Sequence, residues 1–233
     1  KIKSLFDQLS NEEKKEAIKH YWAFCTYEDH LIGKIISELK YHDDFDNTLI
    51  FLTSDHGDYN GEHGLWCKGL PAYKGAYHIP TIAHWPNGIK EPGRSISDLV
   101  SLADIAPTIL DISGLEMSQP IVGKSLLPYF TNIENQPIRP FLHTQTNGNE
   151  IYGIQRSVFN KEWKLVFNTF DNDELYDLKD DPNELKNIFE DESSLPVIEI
   201  LYKELWRFAK ETEDTIINPY ILVGLAKFGP AIL

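Results

Sequence analysis

The sequence predicts an α/β domain followed by a smaller subdomain made of an antiparallel sheet and a helix. The β-branched and aromatic run Thr48-Leu49-Ile50-Phe51-Leu52-Thr53 ends abruptly in Asp55, His56 and Gly57. A buried parallel strand reads this way where an open α/β sheet binds its ligands. A long helical pattern precedes this run, and a second short strand and a second helix follow it, the succession expected of a layered α/β architecture. Beyond Pro137, short apolar runs are separated by Asn, Asp and Gly, the spacing of a small antiparallel sheet.

Each element has a local cause. Ser10-Asn11-Glu12-Glu13 is a capping box that starts the first helix. Ile18, Tyr21, Trp22, Cys25, Leu31, Ile32, Ile35, Ile36 and Leu39 recur near helical spacing and predict a face packed on the sheet. Tyr27 to His30 are sequence neighbours that fan out around a helix, so they read as a solvated face rather than a ligand cluster. Asp43-Asp44-Phe45-Asp46-Asn47 is a turn. The run His78 to Pro86 reads as a short strand, with Pro80 at its start and Pro86 ending it, and His84 reads as a packed strand residue. The next helix begins near Ser101 or Asp104, tolerates Pro107 in its first turn and stops at Gly114. Phe141 to Thr144, Ile151 to Ile154, Trp163 to Phe167 and Glu174 to Leu178 are the strands of the small sheet, covered by a helix over Ser194 to Thr212. The resulting organisation is an α/β part over 1–137, a small α+β subdomain over 138–215 and a tail over 216–233.

Lys and Arg total 22 against 36 Asp and Glu, a formal charge of −14, which argues against a nucleic-acid backbone as the partner. No apolar run reaches membrane-spanning length, and the first residues carry no signal-peptide apolar core. With only Cys25 and Cys67, no disulfide framework is implied.

The chemistry is expected at Asp55 and His56. Alternation along a strand sends neighbours to opposite faces, so both can reach one ion only if the strand stops, and Gly57 supplies the stop. Carboxylate oxygen suits Ca²⁺ or Mg²⁺ and imidazole nitrogen suits Zn²⁺, so residue type leaves the metal open. Lys68 closes the following glycine-punctuated loop and can bring a point charge to an anionic ester. Taken singly, Asp55 also reads as a helix cap, His56 as a structural histidine and Lys68 as a solvated loop lysine. Glu62 and His63 are secondary candidates on the same loop, and His143 and Asn147 are candidate rim contacts. No Ser, Thr or Cys sits in a recognisable nucleophile elbow.

Ser54-Asp55-His56-Gly57-Asp58, followed by Gly61-Glu62-His63-Gly64-Leu65-Trp66-Cys67-Lys68, resembles the metal- and sulfate-binding segment of the sulfatase family, within the alkaline phosphatase superfamily. The resemblance continues in family order through His78-Ile79-Pro80-Thr81-Ile82, Leu102 to Leu110, Gly123-Lys124-Ser125-Leu126 and Glu174-Leu175-Tyr176-Asp177-Leu178. One departure is Tyr73-Lys74, where the family commonly has Tyr-Glu.

The resemblance implies the C-terminal part of an alkaline-phosphatase-like α/β sandwich. It implies that Asp55 and His56 ligate a divalent cation, usually Ca²⁺, and that Lys68 contacts the sulfate; His63 stays a secondary candidate for substrate binding. The family's Cys- or Ser-x-Pro-x-Arg motif, source of its formylglycine nucleophile, has no match in these 233 residues. That group is therefore expected in an N-terminal portion of the same protein, and this chain alone is expected to show no catalysis. The implied substrate is a sulfate ester of a small molecule or glycan. The alternatives are a phosphonate or phosphate-ester hydrolase of the same superfamily, and a non-catalytic module that binds an anion or a partner.

Overall fold

The computed structural model describes residues 7–69, 71–119, 121–132, 136–148, 153–169, 171–216 and 228–230. In chain order the elements are α1 (Asn11–Tyr41), β1 (Ile50–Thr53), α2 (Lys74–Tyr77), β2 (Thr81–His84), α3 (Ile105–Ile112), α4 (Leu127–Thr131), β3 (Leu142–Thr146), β4 (Gln155–Phe159), β5 (Trp163–Asn168), β6 (Glu174–Asp177) and α5 (Leu195–Glu211). They form two compact units: Lys1–Lys68, Gly75–Ser95 and Pro128–Asn135 in one, Gly69–Lys74, Ile96–Leu127 and Gln136–Leu233 in the other.

In the first unit the capping box forms as predicted. Glu13 N donates to Ser10 Oγ at 3.2 Å, and Ser10 N donates to the Glu13 carboxylate at 2.8 Å. The helix differs from expectation in its packing, because none of its residues is buried and Trp22, Phe24, Tyr27 and Ile35 are exposed. The strand at the candidate site also differs. β1 is not a buried parallel strand; it pairs antiparallel with β2 in a two-stranded ribbon, with Leu52 opposite Ile82. Both of these apolar side chains are exposed, Ile82 to 57%. An apolar run specifies a demand for burial, whereas strand direction depends on the path of the 27 residues between β1 and β2. His84 is likewise exposed rather than packed, its ring 4.6 Å from that of Phe45. Behind the ribbon, the Phe51 and Phe130 rings lie 6.1 Å apart, and Arg94 donates to the Tyr129 carbonyl at 2.7 Å.

The second unit has a closed core. β3, β4, β5 and β6 form an antiparallel meander, as the spacing predicts. The second strand is shifted, however: the ladder uses Gln155–Phe159, and of the expected Ile151–Ile154 run the first two residues lie outside the described ones. α5 buries Ile198, Leu201, Tyr202, Leu205, Trp206 and Ala209, the i, i+3, i+4 stripe of an amphipathic helix. That stripe packs on Val158, Leu165, Phe167 and Leu175 from three strands, with the Phe167 and Trp206 rings edge to face at 5.2 Å. Phe228 joins this core and its carbonyl accepts from Trp206 Nε1 at 2.7 Å; Asn218 to Tyr220, and most of the apolar tail, lie outside the described residues.

α3 starts where predicted. Ser101 caps a 3₁₀ turn over Leu102–Asp104 that runs into Ile105–Ile112, and Gly114 stops it with φ 68°. Asp104 is fully buried and accepts from Ser101 N, Lys124 N and the Arg139 guanidinium, the last at 2.6 Å. This carboxylate ties the helix start to the proline-spaced segment that follows. Replacing Arg139 by Met leaves a buried charge without its counter-ion, so we expect a loss of about 3–5 kcal/mol in chemical unfolding with an unchanged denaturant slope.

Candidate functional site

At the end of β1 the chain turns so that consecutive side chains converge. Asp55 Oδ2 lies 3.5 Å from His56 Nε2, and Lys68 Nζ lies 2.6 Å from the same nitrogen. A lysine ammonium can only donate, so Nε2 is the acceptor and the ring proton sits on Nδ1. Nδ1 is 2.8 Å from the Gly57 carbonyl, which receives that proton and fixes the orientation of the ring. Ser54 Oγ donates to the His56 carbonyl at 2.7 Å and holds the turn from the other side. The His56 backbone amide donates to Asp55 Oδ1 at 3.0 Å and holds the Asp55 carboxyl below its ordinary value. Asp55 and Lys68 are exposed and His56 is half-buried, so the three line an open face.

The turn needs glycine. Gly57 N donates to the Ala76 carbonyl at 2.8 Å, and a Cβ on Gly57 would come within 2.0 Å of the Gly75 carbonyl oxygen. The loop then folds back on itself, Tyr59 N donating to the Cys67 carbonyl and Gly61 N to the Leu65 carbonyl, each at 2.8 Å. Left-handed backbone at Asn60, Gly61, His63, Gly64 and Cys67 tightens this return and delivers Lys68 to His56. Tyr59 is buried at the loop's base. Burial and the Asp58 carboxylate raise the Tyr21 phenol of α1 above its usual range, and Asn60 hydrogen-bonds it.

The structure thus brings together Asp55, His56 and Lys68 of the residues expected from sequence. His63 stands half-buried on the 3₁₀ turn Glu62–Gly64 of the same loop, with φ 53°. Among the described residues no third His, Cys, Asp or Glu joins Asp55 and His56 in a group able to hold a metal. Cys25 and Cys67 are exposed and form no disulfide. Sequence reading missed Ser54, Gly75 and Ala76, whose contribution is a hydroxyl, a small residue and a backbone carbonyl with no chemical signature of their own.

Of the two expected rim contacts, both in the second unit, His143 is largely buried and Asn147 is exposed. Asn147 Oδ1 accepts from Arg156 at 2.8 Å, beside the buried Arg156–Asp214 pair. His143 stacks on Phe208 with centroids 3.8 Å apart, its Nε2 3.4 Å from Glu204 Oε1. Burial pushes its pKa down from 6.5 to about 4, against the opposing pull of Glu204.

Residues 61–211 match the family N-sulphoglucosamine sulphohydrolase, C-terminal, and residues 3–115 match the family Sulfatase. Arylsulfatase K of Xenopus laevis is 33% identical over 77% of this chain and 35% of its own length. The crystal structure of a sulfatase-like protein from Bacteroides thetaiotaomicron superposes with a TM-score of 0.82 at 22% identity, over 88% of this chain and 45% of that one. The phosphonate monoester hydrolase of Agrobacterium radiobacter superposes with a TM-score of 0.71 at 27% identity, over 78% of this chain and 39% of that one. The chain therefore spans less than half the length of each of these proteins.

Two measurements check this geometry. Gly57→Ala should destabilise the protein by about 1–3 kcal/mol, because a carbonyl stands where the methyl must go, whereas Gly33→Ala on α1 meets nothing within 4 Å and should add up to about 1 kcal/mol. Between pH 6.5 and 4 the unfolded chain takes a proton that folded His143 refuses, so stability should fall as pH drops through that window, by about 3 kcal/mol from this group. His143→Phe, which keeps a stacked ring, should flatten that part of a pH series of unfolding midpoints.

The family match over 61–211 and the fold of the solved neighbours agree: this chain belongs to the sulfatase family, with an alkaline-phosphatase-like α/β fold.

Proposed function

We propose that this chain is the C-terminal part of a sulfuric ester hydrolase acting on a sulfate ester of a small molecule or glycan, with Lys68 as its sulfate contact. The observation that carries the reading is the convergence of Asp55, His56 and Lys68 on one exposed turn, inside a chain of the sulfatase family. Asp55 and His56 are proposed as two ligands of a divalent cation, Ca²⁺ being the usual ion of the family. Two atoms bonded at about 2.1–2.5 Å and at right angles to one ion lie about 3.0–3.5 Å apart. The 3.5 Å between Asp55 Oδ2 and His56 Nε2 fits that requirement; the Nε2 lone pair accepts from Lys68 in this structure, so Lys68 would turn from it to the sulfate when an ion is held. The remaining ligands and the formylglycine nucleophile are assigned to a further portion of the same protein.

In this reading the cation, when bound, neutralises the anionic ester and aids its orientation. Lys68 places a positive charge where the sulfate oxygens gain negative charge as the S–O bond to the alcohol breaks. Asp55 stays ionised through the backbone donor at His56, and His56 keeps its proton on Nδ1 through Gly57. His63 is proposed as a subsidiary substrate contact. The family matched over 61–211 is named for an N-sulphoglucosamine sulphohydrolase, which supports a sugar as the alcohol or amine half.

The test uses the intact protein. Lys68→Ala should lower kcat/KM for an aryl sulfate by about 10²–10³, and Asp55→Asn should weaken cation affinity at least about tenfold. Unchanged turnover and calcium affinity in both variants would sink the assignments. The similarity to a phosphonate monoester hydrolase supports a second reading, decided by comparing paired aryl sulfate and aryl phosphonate substrates. Sulfate-ester turnover by the isolated 233-residue chain would overturn the placement of the nucleophile elsewhere.

A further inference from the structure

We propose that Asn147 is a self-modification site. Its side-chain amide is lost by attack of the Gly148 nitrogen, assisted by the Arg156 guanidinium, which leaves aspartate or isoaspartate in the β3–β4 connection. The site lies wholly in the second unit and does not depend on the sulfatase reaction.

The sequence holds three Asn-Gly pairs, Asn60-Gly61, Asn87-Gly88 and Asn147-Gly148. Glycine has no Cβ to hinder its nitrogen, so by sequence all three are equally open to closure of a succinimide ring. The structure separates them. Gly61 N donates to the Leu65 carbonyl at 2.8 Å and Gly88 N to the Trp85 carbonyl at 3.0 Å, so each must leave its bond before it can attack. Gly148 N donates to no group among the described residues. Asn147 and Gly148 are also both exposed, which admits the water that the reaction consumes.

The second difference is a cation on the reacting carbonyl. Arg156 is 4% exposed and every N–H of its guanidinium is engaged. Nε donates to Asp214 Oδ2 at 2.6 Å and Nη2 to Asp214 Oδ1 at 2.9 Å, while Nη1 donates to the Thr146 and Gln155 carbonyls at 3.1 and 2.9 Å. The remaining N–H, on Nη2, donates to Asn147 Oδ1 at 2.8 Å. A planar guanidinium fixed by its other bonds is a preorganised donor at the oxygen where negative charge develops.

In the step itself the Gly148 nitrogen gives its proton to solvent base, and its lone pair forms a bond to Asn147 Cγ as the C=O π pair moves onto Oδ1 against Arg156. Collapse of that oxyanion breaks the Cγ–Nδ2 bond and releases Nδ2 as ammonia, with a proton drawn from water. Water then adds to one of the two imide carbonyls and opens the ring to aspartate or isoaspartate. One amide and one water give one carboxylate and one ammonium ion, with no redox change. Either product sets a new negative charge beside the Arg156–Asp214 pair.

The experiment holds the intact protein in mildly alkaline buffer, with and without denaturant, and follows the three Asn-Gly peptides by mass spectrometry. In native buffer Asn147 should deamidate at least about fivefold faster than Asn60 and Asn87, the factor expected when one backbone hydrogen bond must first open. In denaturant the three rates should converge. A native rate at Asn147 no greater than at the other two, or a lead that persists undiminished in denaturant, overturns the proposal. The part played by Arg156 is read from Arg156→Lys, which replaces the planar fork by one nitrogen, and from Arg156→Gln with Asp214→Asn, which removes both charges together. Each should slow Asn147 severalfold. Lost stability speeds deamidation, so a slower Asn147 is not a folding effect; an equal or faster rate in a variant that still unfolds cooperatively overturns the role of Arg156. Should neither variant fold, the native and denatured rates of the wild-type protein still decide whether Asn147 is the site.

Discussion

A single close approach governs the site: Gly57 lies against Gly75 so tightly that Gly57 can carry no side chain where it stands. The Gly57 amide bonds to Ala76, and a Cβ on Gly75 would fall on the Glu62 carboxylate. Because β1 is stopped by this contact, Asp55 and His56 leave the strand alternation and converge, and the loop from Gly57 to Lys68 must return within hydrogen-bonding reach of His56. The contact itself contributes no chemistry. It converts three side chains that any flexible loop could carry into one fixed group, which is the precondition for electrostatic catalysis to gain from preorganisation.

The second unit shows how a polar strand is buried. β4 reads Gln155-Arg156-Ser157-Val158-Phe159, and the first four are buried. Each polar group there has a partner at long range: Ala72 for Gln155, Asp214 for Arg156, Thr144 for Ser157. Unpaired, any one of them would cost more than a lost hydrogen bond. Paired, they tie both faces of the meander to distant parts of the chain, while Val158, Leu165, Phe167 and Leu175 supply the apolar half of the core under α5.

Legibility follows the same division. Elements whose causes lie within a few residues were readable: the capping box at Ser10, the start of α3 at Ser101, the glycine stop at Gly114 and the buried stripe of α5. The candidate site was readable as a set of residue types, since a carboxylate, an imidazole and a glycine ending an apolar run is unusual wherever it occurs. β4 was misplaced by its polar composition, because only its partners 13 to 83 residues away make burial possible. His143 was taken for a surface residue for the same reason: its polarity was visible, while Phe208 as its neighbour was not.

By itself, then, the sequence determined which residue types could do chemistry and where helices begin and end, because capping, turn formation and helical periodicity act over less than about a dozen residues. It also carried the family likeness. Tertiary structure alone decided that β1 runs antiparallel to β2, that Lys68 returns to His56, and that the buried Gln155 and Lys164 bond to the backbone of Ala72. Those outcomes depend on contacts between residues widely separated in the chain, and no local pattern records which distant partner will satisfy a buried charge or an open strand edge.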